Sequence, residues 1–278
     1  MIMINKFDEF NIHEIYKEYG IENYTINNGL VDVDGDVYLS NMELDILPVR
    51  FGIVARGFDC NFNKLTSLKG APKQVGGDFY CQYNKLTSLQ GAPNYVSGNF
   101  DCHNNQLTSL QGAPNYVSGN FDCHNNQLIT LKGAPKEVGG YFDCHNNQLN
   151  SLQGAPDYVG NSFDCQYNKL NNLEGAPKEV GDSFCCDDNQ LTSLKGAPKE
   201  VTGDFYCNDN PLTSLDGAPK EVGGDFNCYY SYYNKLPKEI INFGDIKYIL
   251  KWQDEYNIWR NGRLDLFRFN ELIKDYDK

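Results

Sequence analysis

From Leu44 to Leu236 the apolar positions of the chain return in one fixed order every 21 residues. Leu65, Leu86, Leu107, Leu128, Leu149, Leu170, Leu191 and Leu212 form one column, and Phe58 to Phe226 form a second at the same step. Nine of the ten cysteines, Cys60 to Cys228, form a third, and Cys185 alone stands out of phase. Two consecutive copies, Leu86–Gln106 and Leu107–Gln127, are identical. A fixed period of this length predicts a solenoid, in which each unit buries its apolar face against its neighbours.

Within a copy, Phe-x-Cys alternates with period two, so both side chains leave the same face of a short strand. Gly-Ala-Pro and a later glycine break regular structure. Nothing between them is long enough for a crossover helix, which leaves one parallel strand and a compact, extended return per turn. The expectation is a β-rich solenoid with one long parallel sheet of about ten rungs, stacked at roughly 4.8 Å each.

The phrase Phe-x-Cys-x-x-Asn-x-Leu resembles the strand half of the leucine-rich repeat, with Phe and Cys in the apolar places. The Leu-x-x-Leu-x-x-x-Pro segment is similar to the short, proline-bearing repeats of bacterial effector proteins. The full Gly-Ala-Pro-x-x-Val-x-Gly-x-Phe-x-Cys phrase resembles 21-residue arrays of tailed phages and other viruses. The resemblance covers about 44–236. It implies a leucine-rich-repeat-like fold and a virus-encoded protein acting on a host protein inside the cell.

The chain divides by pattern into an N-terminal cap (1–43), the repeat array (44–236) and a C-terminal cap (237–278). Residues 5–19 read as a short amphipathic helix, and LVDV-DG-DVYL as a β-hairpin turning at Asp34-Gly35. After Pro237, apolar residues at helical spacing (Ile246, Ile249, Leu250, Leu264, Phe267, Leu272) predict two or three small helices over the last turn. The frame slips by three residues in Tyr229–Tyr233, beside the last rung.

Composition narrows the function. With 24 Lys+Arg against 37 Asp+Glu the formal charge is −13, which argues against nucleic acid and against an anionic membrane surface. The start, MIMINKFDEF, lacks the apolar core of a signal peptide, and no apolar run reaches the roughly 18 residues of a membrane helix. A cytoplasmic location is expected. Cysteines one rung apart stand too far apart for a disulfide, so a stack of reduced, buried thiols is predicted, suited to a reducing compartment.

Residues beside Phe and Cys face outward. One outward column includes Tyr80, Asp101, Asp122, Asp143, Asp164, Cys185 and Tyr206, and the next includes His103, His124 and His145. Three consecutive rungs therefore carry Asp and His side by side. A polar ladder left by repeat duplication, a protein-binding stripe and a metal site on His103, His124 and His145 all fit this pattern. No Ser-His-Asp constellation, phosphate loop or paired-carboxylate cleft emerges. The chain thus reads as a protein-binding module, not an enzyme, with no cofactor and no committed metal. Its candidate partner surface is Tyr80, Asp101, His103, Asp122, His124, Asp143, His145, Asp164, Tyr206, Tyr229 and Tyr230, facing a partner with a basic patch. An adhesin or virion surface component is the alternative. Tyr95, Tyr116 and Tyr158 make a competing stripe, and Cys185 is expected to be the exposed thiol.

Overall fold

A computed structural model describes residues 14–228, 236–243, 245–260 and 262–276. The chain forms two compact units, residues 1–127 with 133–135 and residues 128–132 with 136–278. Each unit is a β-solenoid built from the same coil.

The coil Leu86–Gln106 shows how the repeat folds. Leu86, Leu89, Val96, Phe100 and Cys102 all point inward and are fully buried. Between them, Gly91 takes φ +96°, and a Cβ there would meet the Leu68 carbonyl oxygen at 2.8 Å. Only glycine serves both the left-handed bend and the close approach of the previous coil. Phe100–Asp101 pairs in parallel with Phe79–Tyr80 and with Phe121–Asp122. The second unit repeats this over Phe142–Asp143, Phe163–Asp164, Phe184–Cys185, Phe205–Tyr206 and Phe226–Asn227. Within each unit the phenylalanines stack at 5.2–5.5 Å between ring centroids.

The parallel-sheet solenoid is as expected, with five Phe-type strands in each unit counting Val37–Tyr38. The return leg differs: it carries a second parallel ladder. Gln74–Val75, Tyr95–Val96 and Tyr116–Val117 pair in register in the first unit, and Glu137–Val138, Tyr158–Val159 and Glu179–Val180 in the second. Two residues per strand give too little alternation to announce a sheet in the sequence. Stacking enforces it, because extended backbone at one-rung spacing must pair its N–H and C=O groups.

Side chains complete the pairing where strands end. Asn105 Nδ2 donates to the carbonyls of Cys81, Cys102 and His103 at 3.1, 3.1 and 3.3 Å. Its Oδ1 accepts from the Leu86 N–H at 2.9 Å. Asn84, Asn126, Asn168, Asn189 and Asn210 repeat these bonds. A second ladder precedes the Phe strands, where Asp78 Oδ1 accepts from Asn99 N–H at 2.7 Å and Asn99 Oδ1 from Asn120 N–H at 2.8 Å. The buried thiols are unpaired as disulfides, and several donate to the next coil, as Cys186 Sγ does to the Tyr206 carbonyl at 3.2 Å.

The ends are capped. Residues 14–18 are helical, and the rest of the expected 5–19 helix lies outside the described residues. The hairpin expected at Asp34-Gly35 is corrected. Tyr24–Asn27 pairs antiparallel with Leu30–Val33 through Asn28 (φ 53°) and Gly29 (φ 74°). Asn-Gly supplies both left-handed residues of a tight hairpin turn, whereas Asp34-Gly35 is a coil corner leading to Val37–Tyr38. At the other end, helices Lys238–Phe243, Ile246–Tyr256 and Leu266–Tyr276 surround a short hairpin, Trp259–Arg260 with Arg263–Leu264. Ile249, Leu250, Ile258 and Leu272 fill this cap, and Trp259 Nε1 donates to Gln253 Oε1 at 2.7 Å inside it.

Asn105→Ala leaves the Leu86 N–H without its partner and removes one of two donors from each of three carbonyls, which keep Asn84, Asn126 and the Tyr83 N–H. Urea unfolding followed by circular dichroism is expected to show a loss of about 1–3 kcal/mol, more than an exposed Asn→Ala change gives.

Candidate functional site

The corner after each Phe strand decides what faces solvent. The residue just before the inward asparagine is left-handed on every regular rung: Phe62, Tyr83, Asn104, Asn125, Asn146, Tyr167, Asp188 and Asp209 have φ between 48° and 53°. Asn and Asp accept this conformation readily, while bulky residues adopt it at a cost. Even so, Phe62, Tyr83 and Tyr167 sit there with 51%, 44% and 56% of their surface exposed. Phe62 and Tyr83 stack at 4.3 Å, 9° between planes, and Tyr83 meets the His103 ring edge-on at 5.0 Å. These three aromatics were missing from the sequence reading. The Asn-Asn pairs of neighbouring rungs mark the column as left-handed, and that signal was available.

Asp101 and Asp122 lie in register on adjacent strands, and each holds the histidine two residues on. Asp101 Oδ1 lies 2.5 Å from His103 Nδ1, and Asp122 Oδ1 lies 2.6 Å from His124 Nδ1. The same carboxylates accept the backbone N–H of these histidines at 3.1 Å, which closes a small turn around each pair. The two imidazoles stack at 4.3 Å and 10°. Packed this way, these four side chains are only 13–18% exposed, so they form a half-buried seam, not the open stripe expected from strand alternation.

In the second unit Asp143 holds His145 by the same contact, at 2.7 Å. Asp164, paired in register with Asp143 on one side and Cys185 on the other, holds Gln166 instead. Its Oδ1 accepts the Gln166 N–H and its Oδ2 the side-chain amide, at 3.0 and 3.1 Å. Burial, with Asp143 nearby, pushes the Asp164 carboxyl up to about 6, and burial does the same for Asp187. Cys185 is the one cysteine that is not fully buried. Its thiol is pushed up to about 12, by burial first and then by Asp164 and Asp187.

Tyr80 and Tyr206 do not stand free at the border of this face. Each phenol donates to an aspartate two residues earlier, Tyr80 to Asp78 at 2.9 Å and Tyr206 to Asp204 at 2.7 Å. Tyr229 and Tyr230 lie outside the described residues. Tyr95, Tyr116 and Tyr158 project from the second ladder, 40–44% exposed. A separate open groove of about 680 Å³ follows the glycine bends of the first unit and is lined by Arg50, Lys69 and Lys73 with no acidic side chain.

No protein-family model matches the chain, and no curated protein matches it. Among solved structures, YopM from Yersinia enterocolitica WA-314 is similar at a TM-score of 0.38 and 16% identity, over 82% of this chain and 66% of that one. The chain thus spans just under two thirds of the length of that protein. Among the described residues, no helix is long and apolar enough to cross a membrane.

Two outcomes follow from the acidic–thiol neighbourhood. The Asp164 carboxyl is 3.8 in a free chain and about 6 when folded. Between these values the folded state holds a proton that the unfolded state has released, so stability falls as pH rises through this window. Asp164→Asn keeps the bond to the Gln166 N–H without the charge. It is expected to stabilise the protein by about 1–2 kcal/mol at pH 7.5 and by almost nothing at pH 3.5, read from thermal melts at both. Alkylation of the native protein with iodoacetamide, mapped by peptide mass, is expected to label Cys185 before every other cysteine. The reaction should run far slower than on the unfolded chain, because little thiolate forms at neutral pH.

Proposed function

We propose that the chain is a protein-interaction module that works by binding and not by catalysis. The observation that carries this reading is the placement of Phe62, Tyr83 and Tyr167. Each holds a large aromatic ring in solvent from a backbone conformation that asparagine adopts more easily. Stacking of Phe62 on Tyr83 returns part of that cost to the fold, yet 44–56% of each residue stays exposed, and aromatic side chains supply much of the binding energy at protein interfaces. The acidic seam beside Tyr83 and the overall charge of −13 favour a partner with a basic patch, whose encounter is steered by charge.

The resemblance of the repeat phrase to phage and viral arrays supports a narrower reading. On it, the protein is virus-encoded and acts in the host cytoplasm, where it sequesters a host protein such as a defence component. Ten cysteines without a disulfide suit that reducing compartment better than the surface of a virion.

The test is quantitative capture from lysate of the intended host by wild type, Tyr167→Asn and Asp143→Lys in parallel. A true partner is expected to fall at least about fivefold on each variant, and further as salt rises, since loss of one interface anchor costs upward of 1 kcal/mol. Tyr167→Asn should at the same time leave thermal stability unchanged or raise it by up to about 1 kcal/mol, because it relieves the left-handed tyrosine. Equal capture by all three proteins would remove this surface from consideration.

A further inference from the structure

The Asp/His seam of the first unit has a property that a docking face does not require. His103, Asp122 and His124 present three ligand atoms that all lie within 4.8 Å of one another. The Asp122 carboxylate reaches the Nδ1 atom of each stacked imidazole, with Oδ1 at 2.6 Å from His124 Nδ1 and Oδ2 at 4.0 Å from His103 Nδ1. Two ligands on one tetrahedral Zn²⁺, at bonds of about 2.0–2.2 Å, sit roughly 3.4 Å apart. The two separations bracket that value, so side-chain rotations of about 1 Å are enough to close the set around an ion.

Two further features favour a cation here. Asp101 and Asp122, in register on neighbouring strands, place two carboxylates one rung apart, where a divalent ion offsets their repulsion. Finally, Gln82, which precedes His103 in the same column, has its Oε1 buried with no hydrogen-bond partner, so the protein's own donors leave this column incompletely satisfied.

We propose that His103, Asp122 and His124 form a binding site for a borderline divalent cation of the Zn²⁺ type. Two imidazoles and one carboxylate match the donor preference of Zn²⁺ and leave a fourth position open. The ring of Tyr83, edge-on to His103, positions the first ligand. Asp101 Oδ1 lies 2.5 Å from His103 Nδ1 and gives up that contact when the ion takes the nitrogen.

The site is tested on the full chain, stripped with chelator and kept reduced, by calorimetric titration with ZnCl₂ and by the visible spectrum with CoCl₂. One Zn²⁺ per chain is expected, with a Co²⁺ spectrum of nitrogen and oxygen ligation lacking the intense thiolate band. His124→Asn and His103→Asn should each weaken binding at least about tenfold. Cys185→Ser should leave it unchanged. Circular dichroism of each variant verifies that the fold is intact, and all three positions lie outside the buried core. Absence of Zn²⁺ binding by the folded wild type would overturn the proposal. So would equal affinity in the His103→Asn/His124→Asn double variant, or a cobalt spectrum with thiolate ligation that disappears in Cys185→Ser.

Discussion

Everything outward on this solenoid depends on an inward amide. At the end of each Phe strand the chain must turn while three carbonyls and one N–H point into an apolar stack, and the inward asparagine satisfies all four. An unsatisfied buried polar group costs about 1–3 kcal/mol, so a rung lacking this residue would give up much of what its leucines and phenylalanine contribute. The bonds reach both the asparagine's own coil and the one before, so the amide also fixes the spacing between coils. To enter the stack at that angle, the preceding residue must be left-handed. Its side chain is thereby turned out into solvent beside the Asp/His column.

Register follows from the same clamp. Once the coils are held in step, each outward side chain faces its counterpart from the neighbouring repeat at about 4.8 Å. Identical repeats therefore stack like upon like. For phenylalanine inside, this gives parallel rings at 5.2–5.5 Å and is favourable. For aspartate outside, it is a conflict, resolved differently from rung to rung. Asp101 and Asp122 are met by imidazoles. Asp164 has a glutamine amide instead, and its carboxyl is driven up to about 6.

How much of this could be read from the chain varies with the kind of signal. The period, the inward columns, the reduced thiols and the C-terminal helices follow from spacing alone, because burial at fixed intervals leaves few other folds. The second ladder is not legible in the sequence, because a two-residue strand such as Tyr95–Val96 has no periodicity. The hairpin was placed at Asp34-Gly35 although Asn28-Gly29 carries the stronger turn signal. Alternating residues on either side of Asp34-Gly35 look the same whether the strands fold back on each other or each pair with the next coil. The half-burial of His103 and His124 was not legible, since it arises from side chains packing on one another across rungs.

A repeat protein also makes its exceptions informative. The interior of this chain hardly varies, because every coil must fit the one before it. On the surface, duplication supplies a default, Asn in the left-handed column and Asp between Phe and Cys. A departure from that default at Cys185 costs the fold little, since the position is only half buried and the strand pairing is untouched. A departure at Phe62, Tyr83 or Tyr167 is different in kind. It moves against local backbone preference and leaves apolar area in water, a cost that the Phe62–Tyr83 stack offsets in part. The left-handed column is where the demands of the solenoid and of its surface diverge, and the aromatic rings sit on the side of the surface.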